Sequence, residues 1–255
     1  MKKLLLLSVC LISTSLQAWN CKFEKNIDQT LDLASSEELV ILAAAGDLEV
    51  SGVTGSQVAT IKGRVCVSKE EWLDESRVET SGGSRAEIIV SLPDTDGGWS
   101  LTGQHYAYLD LKLEVPDGIP LNIKDSSGDI EITGIGELIL QDSSGDIEIE
   151  DIKGSVTLSD SSGDIVLRDI EGDVTIESDS SGDIRGKNVE GAVLVKRDSS
   201  GDIRFDDVGE DFIVERDSSG DITANTVGGD FKVLKDGSGE INASNISGEV
   251  AIPGS

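Results

Sequence analysis

The chain reads as an all-β protein, a β-solenoid built as a single elongated stack of coils about 19 residues long. Three observations predict this. The hexapeptide Asp-Ser-Ser-Gly-Asp-Ile begins at Asp125 and returns at Asp142, Asp160, Asp179, Asp198 and Asp217, and a relaxed copy, Asp-Gly-Ser-Gly-Glu-Ile, begins at Asp236. The steps are 17, 18, 19, 19, 19 and 19 residues, and a fixed period of this size is the mark of a repeat architecture. Between hexapeptides the apolar residues fall in two period-two pairs, as in Ile165, Leu167 and then Val174, Ile176, which describes two short strands with one buried face. The alternative is an antiparallel β-sandwich of hairpins, which also has short strands and turn signals. It does not explain why one residue type holds the same slot seven times.

Taken in order, the chain begins with a leader. Met1-Lys2-Lys3, an apolar run from Leu4 to Leu16 and the small residue Ala18 describe a signal peptide over residues 1–18, too short to span a bilayer. Export leaves Cys21 and Cys66 as an even pair, expected to form a disulfide. Residues 19–39 read as irregular apart from an alternating patch at Leu31 and Leu33. Val40-Ile41-Leu42 reads as a buried strand, and Gly46-Asp47-Leu48-Glu49-Val50-Ser51-Gly52-Val53 as a worn copy of the later unit, so the repeat is expected to start near residue 40.

Residues 63–124 interrupt the pattern. Arg64 to Val67, Ala86 to Leu92, Tyr106 to Val115 and Leu121 to Ile123 are strand candidates. Ser68-Lys69-Glu70-Glu71 has capping-box spacing and predicts a helical turn through Trp72 and Leu73. Asp94 to Gly98 reads as a loop and Pro116-Asp117-Gly118 as a turn. The N-terminal part with the first coils (residues 19–124) and the regular array (residues 125–255) are expected to form one domain. Within the array a single Ile or Val anchors each corner, and Gly154, Gly172, Gly191, Gly229 and Gly248 follow it. Gly186, Ala224 and Ala243 take an inward slot, so the core is expected to narrow there.

Equal slots stack in a solenoid, so the first aspartates (Asp125, Asp142, Asp160, Asp179, Asp198 and Asp217) should form one ladder. The second acidic residues (Asp129 through Asp221, then Glu240) should form another. Carboxylates stacked at about 4.8 Å repel each other by just under ~1 kcal/mol even in water. The local compensation is an Asx-turn, with interleaved Lys124, Arg197, Arg216 and Lys235 adding opposite charge. The alternative compensation is a bound cation such as Ca²⁺ on the first ladder, giving a cation-stabilised structural rod. No other cofactor is expected.

Formal net charge is −28, and −30 once the leader's two lysines leave, with 19 basic against 49 acidic residues. Such a surface repels phosphate backbones and anionic lipid, which argues against nucleic acid as a partner. Catalysis finds little footing. His105 is the one histidine, there is no nucleophile elbow or zinc spacing, and a catalytic carboxylate pair would be singular rather than copied seven times. A carbohydrate-active enzyme is kept as the alternative to a non-enzymatic module. The singular residues are the aromatics of the interruption, Trp72, Trp99, Tyr106 and Tyr108, with His105. They read either as a docking face or as packing at one end of the rod.

The Ser-Gly-Asp-Ile unit, the worn Gly-Asp-Leu-Glu-Val copy at 46–50, and Leu113-Glu114-Val115-Pro116-Asp117-Gly118 resemble a bacterial adhesin-like domain family of unknown function. Its members are toast-rack β-solenoids of Gly-Asp-Ile/Val repeats. The resemblance covers residues 40–252. It implies an exported, periplasmic or extracellular, non-enzymatic binding or scaffold module with an envelope protein or glycan as partner, and it supplies no catalytic residues.

Overall fold

A computed structural model describes residues 21–95 and 105–253; the leader and Trp99 lie outside them. Every element but one is a strand. The N-terminal part holds β1 (Phe23–Asp32), β2 (Glu38–Leu42), β3 (Leu48–Val53), β4 (Val58–Val67), the single helical turn α1 (Trp72–Glu75), β5 (Arg77–Ser81), β6 (Arg85–Ser91) and β7 (Ala107–Pro116). The array continues with β8 (Leu121–Lys124), β9 (Ile130–Thr133), β10 (Leu138–Gln141), β11 (Ile147–Ile152), β12 (Val156–Ser159), β13 (Ile165–Ile170), β14 (Val174–Ser178) and β15 (Ile184–Val189). It ends with β16 (Val193–Val195), β17 (Ile203–Val208), β18 (Phe212–Val214), β19 (Ile222–Val227), β20 (Phe231–Val233), β21 (Ile241–Ile246) and β22 (Val250–Ala251).

These strands make two facing 11-stranded sheets. In the array each coil contributes one strand to each sheet, and all pairings are parallel and in register apart from a shift between Leu158 and Ser159 where β12 meets β14. Ile147, Ile165, Ile184, Ile203 and Ile222 are successive partners, and each is at most 1% exposed. The fold is thus a β-solenoid, as the period predicts, with aliphatic ladders between its walls.

The start near residue 40 also holds, with a topological twist. The coil made by β2 and β3 lies between the coil made by β6 and β7 and the first regular coil, β8 and β9. The chain therefore builds one coil, runs outward to build an earlier one, and crosses back to continue the stack. Antiparallel β1 and β4 extend one sheet beyond β7, and antiparallel β5 extends the other beyond β6.

Three local expectations need correction. Residues 23–32 are a ten-residue strand rather than irregular chain. Lys25 and Gln29 sit on its inward side and break the apolar alternation. Their polar ends are satisfied there, Lys25 Nζ by the carbonyls of Leu73 and Ser76, and Gln29 Nε2 by that of Val78. The helical turn forms, but Glu71 occupies its N-cap without a side-chain bond, and the Ser68 hydroxyl instead accepts the Tyr106 N–H. The core does not simply narrow at Gly186. A Cβ there would lie 2.0 Å from the Phe205 ring, so the missing side chain makes room for the next coil's phenylalanine. Phe205, Phe212 and Phe231 then stack at 5.0 and 5.3 Å between centroids.

The hexapeptide glycines are required by both backbone and space. Gly182 has φ +129°, and a Cβ on it would lie 1.8 Å from the Gly163 carbonyl oxygen of the preceding coil. Gly182→Ala should therefore cost about 3 kcal/mol or more, read by chemical denaturation. Gly82→Ala, where a Cβ meets nothing within 4 Å, should change stability by less than ~0.5 kcal/mol. Cys21 and Cys66 are disulfide-bonded across a separation of 45 residues. Cys21→Ser with Cys66→Ser should lower unfolding free energy by about 4 kcal/mol on chain-entropy grounds.

Candidate functional site

Each letter of the hexapeptide has a distinct structural job. The turn joins a strand of one sheet to a strand of the other. In the third copy, Asp160 continues the inward alternation of Val156 and Leu158, so its side chain enters the core. Its Oδ1 accepts the N–H of the following serine, Ser161, at 2.6 Å, and Asp179 and Asp198 repeat this with Ser180 and Ser199 at 2.7 Å. The second serine reaches between coils. The hydroxyls of Ser162, Ser181, Ser200 and Ser219 donate to carbonyls of the preceding coil at 3.1–3.3 Å.

The second aspartate caps the coil above it. The N–H groups of Asp146, Asp164, Asp183, Asp202, Asp221 and Glu240 each donate to Oδ1 of the equivalent aspartate one coil earlier, at 2.8–3.1 Å. This ladder extends into the worn coil, where Asp129 N–H donates to Asp47. The local Asx-turn expected from the sequence therefore describes the first aspartate, while the second bonds across coils.

The two carboxylates of one turn consequently sit in opposite electrostatic states. The N–H of Asp183 and then the Arg185 guanidinium hold the Asp164 carboxyl below the usual range. Burial pushes the first ladder the other way, Asp125 and Asp198 up to about 7 and Asp179 to about 6. Asp142, Asp160 and Asp217 are raised as well, for the same reason. All six are between 0% and 6% exposed.

The cation expectation for Asp125, Asp142, Asp160, Asp179, Asp198 and Asp217 meets a geometric obstacle. The carboxyl groups run in single file through the wall, and among the described residues no three or more His, Cys, Asp or Glu side chains gather in a way that could hold a metal ion. Hard cations want six or more oxygens converging on one point. Their burial equally keeps these carboxylates from any external substrate.

The aromatic expectation divides. Trp72 is 7% exposed, set edge-on to His105 at 5.6 Å and covered by Lys69, so it packs rather than displays its ring. Tyr106 and Tyr108 are half-buried, 6.1 Å apart, and sit beside the disulfide, with the Tyr106 hydroxyl accepting the Lys22 N–H. Trp72 is thus packed against its neighbours, whereas Tyr108 alternates outward with Asp110 and Lys112 on β7 and stays partly open to solvent.

A feature that the sequence reading missed crosses the outer face of the first sheet. Partner positions on adjacent strands form one row, Lys62 on β4, Lys112 on β7, Glu49 on β3, Glu131 on β9 and Glu148 on β11. An open groove of about 820 Å³ runs over it. Lys112 pairs with Glu49 and Arg168 with Glu148, whereas Lys62 and Glu131 make no ion pair among the described residues. Glu131 stands directly opposite a glutamate on each side, an arrangement that like-charge repulsion disfavours. The out-of-sequence insertion of β2 and β3 into the stack brings Glu49 beside Glu131, which is why spacing alone could not reveal the row.

The sequence matches the Toastrack DUF4097 family over residues 67–253. The chain belongs to this family. Toastrack members share the stacked-coil architecture described above, which agrees with the resemblance read from the repeat. Among solved structures, the chain is similar to a "putative cell adhesion protein" from Clostridium sporogenes, at 16% identity over 90% of this chain and 99% of that one, TM-score 0.33. It is also similar to a "putative lipid binding protein" from Parabacteroides distasonis, at 15% identity over 88% and 96%, TM-score 0.41. A "putative adhesin" from Bacteroides fragilis matches at 12% identity over 90% and 97%, TM-score 0.38. At these scores none of them bears on what this chain binds. No curated protein matches the sequence.

The capping role of the second ladder sets a prediction. Asp183→Ala leaves the Asp202 N–H without its acceptor and should cost about 1–3 kcal/mol in chemical denaturation. Asp183→Asn keeps the oxygen and should recover most of that loss.

Proposed function

We propose that this Toastrack protein is an exported, non-enzymatic binding or scaffold module of the periplasm or cell exterior. Its partner docks across the groove over Glu49, Glu131 and Glu148. The carrying observation is that row of three glutamates, in which Glu49 and Glu148 are ion-paired while Glu131 stands between them and, among the described residues, makes no ion pair of its own. A partner offering positive charge, an amine-bearing envelope glycan or a basic segment of an envelope protein, relieves the repulsion among them. Export is supported by the leader-like residues 1–18 and by the disulfide, which belongs to oxidising compartments. Among the described residues no helix is long and apolar enough to cross a membrane. A carbohydrate-active enzyme is the alternative reading; its carboxylate pair would have to come from the groove, where the acids recur from coil to coil rather than standing as one pair, since the first-ladder carboxylates are buried within the wall.

The test uses the chain from Trp19 with oligoglucosamine, an oligolysine peptide and envelope extract as probes, in about 0.15 M salt. Glu131→Gln should weaken binding to the probe that binds by tenfold or more while leaving Tm unchanged or raised. Equal binding by the variant, or no binding to any of the three, contradicts the proposal.

A further inference from the structure

The first aspartate ladder contains an imbalance that the fold does not resolve. Oδ2 of Asp160, Asp179, Asp198 and Asp217 is buried without a hydrogen-bond donor, and the carboxyl oxygens of Asp125 and Asp142 are buried with no well-formed bond, only the N–H groups of the two following serines lying near them. Asp125 and Asp142 follow the register partners Lys124 and Gln141, and the Asp125 N–H donates to the Gln141 carbonyl, so the two carboxyl groups are neighbours on adjacent coils; Asp198 and Asp217 are joined in the same way through the Asp198 N–H and the Arg216 carbonyl. Acceptor thus faces acceptor in a dry wall. Buried polar groups without partners are rare in folded proteins, and an unpaired buried charge is costlier still.

Among the described residues no ion pair joins a basic side chain to the ladder. The charged groups acting on the ladder, besides its own members, are Asp146, Asp164 and Asp236, all acidic. Lys124, Arg197, Arg216 and Lys235, which precede ladder members in sequence, are exposed.

We propose that the ladder is a proton-binding site, in which Asp125 and Asp198 each hold a carboxyl proton and donate it to Asp142 and Asp217 of the next coil. Spacing favours this. An O–H···O⁻ bond of about 2.6 Å plus a carboxyl bite of about 2.2 Å, set by C–O bond lengths, adds up to about 4.8 Å, the distance between strands. Carboxyl groups can therefore bond head to tail at the interval the backbone imposes. One shared proton turns two facing acceptors into a donor and an acceptor, while Oδ1 of Asp198 keeps its bond from the Ser199 N–H.

The direction of the pH effect follows from burial. Asp125, Asp179 and Asp198 hold their protons up to about 7, 6 and 7 in the folded chain, against about 3.9 when unfolded. Their contribution to stability is complete below about pH 4 and is lost as pH rises through about 6 to 7. Asp164, held low by Asp183 and Arg185, runs in the opposite sense and loses its contribution in acid. Variants confined to the ladder separate the two.

The test uses the full mature chain. Asn at 125 and 198 supplies an N–H donor to the neighbouring carboxylate at every pH, so Asp125→Asn with Asp198→Asn should raise Tm at pH 8 by about 5 °C or more and change it little at pH 5. Infrared spectra of the wild type near pH 6 should carry the C=O stretch of protonated carboxyl groups, and the double variant should lose the greater part of it, keeping the share that belongs to Asp179. That measurement on the wild type needs no variant to fold. Absence of the band in the wild type, or a double variant as destabilised at pH 8 as at pH 5, overturns the proposal. So does a wild-type Tm that falls with chelator and recovers with Ca²⁺, which would put a cation where the proton is proposed.

Discussion

Register between coils is the constraint on which everything else in this molecule depends. Each coil exposes an apolar edge that it cannot bury alone, and only the neighbour in strict alignment covers it. Val156 sits on Val174, Leu158 on Ile176 and Ile165 on Ile184, so a one-residue slip would turn the apolar set outward. The polar turns enforce the same alignment. The second serine and the second aspartate both bond to the preceding coil, and the glycine lets its backbone lie against that coil where a Cβ would collide. A turn that is repeated nearly letter for letter is what a wall of this kind requires, because each letter must meet its own copy.

The period and the alternation made the solenoid legible, and they placed Ile165, Ile184 and Ile203 correctly. The inward turn of the first aspartate was legible too, though it went unread. Leu121, Ile123, Asp125 and Leu138, Leu140, Asp142 are unbroken period-two series ending in an acid. In the later copies one more residue separates Ile176 from Asp179 than Leu158 from Asp160, and the strand pairing shifts between Leu158 and Ser159. That extra residue lengthens the repeat and hides the series. The corner was misjudged in a similar way. The glycines after it drew attention, while Asp151, Asp169, Asn188, Asp207, Thr226 and Asn245 hold the left-handed backbone there, φ 55–62°. Aspartate and asparagine tolerate that conformation, so a glycine was not needed at five of these positions; Thr226, being β-branched, is strained there. The row of glutamates was beyond reach, because it depends on β3 lying next to β9, and no repeat spacing encodes that contact.

One hexapeptide holds its two carboxyl groups in contrary environments, and this separates structural work from recognition. The inward acid is cut off from solvent and has only acids for company. The outward acid is spent on a backbone N–H of the next coil. The first ladder is closed to a partner, while Asp129, Asp146 and Asp164 of the second also line the groove. What remains available is the outer strand surface, where charges vary from coil to coil. The proposed docking groove lies where the repeat is least regular, on the face that mixes β3, β7 and β4 with the first regular strands.

The stacking itself is open to direct measurement by methyl–methyl nuclear Overhauser effects in selectively labelled protein. Strong cross-peaks linking Ile165 to Ile184, Ile184 to Ile203 and Ile203 to Ile222 are the predicted result. Their absence, with those methyl groups instead close to residues of a hairpin partner or to solvent, would contradict the coiled wall and every assignment built on it.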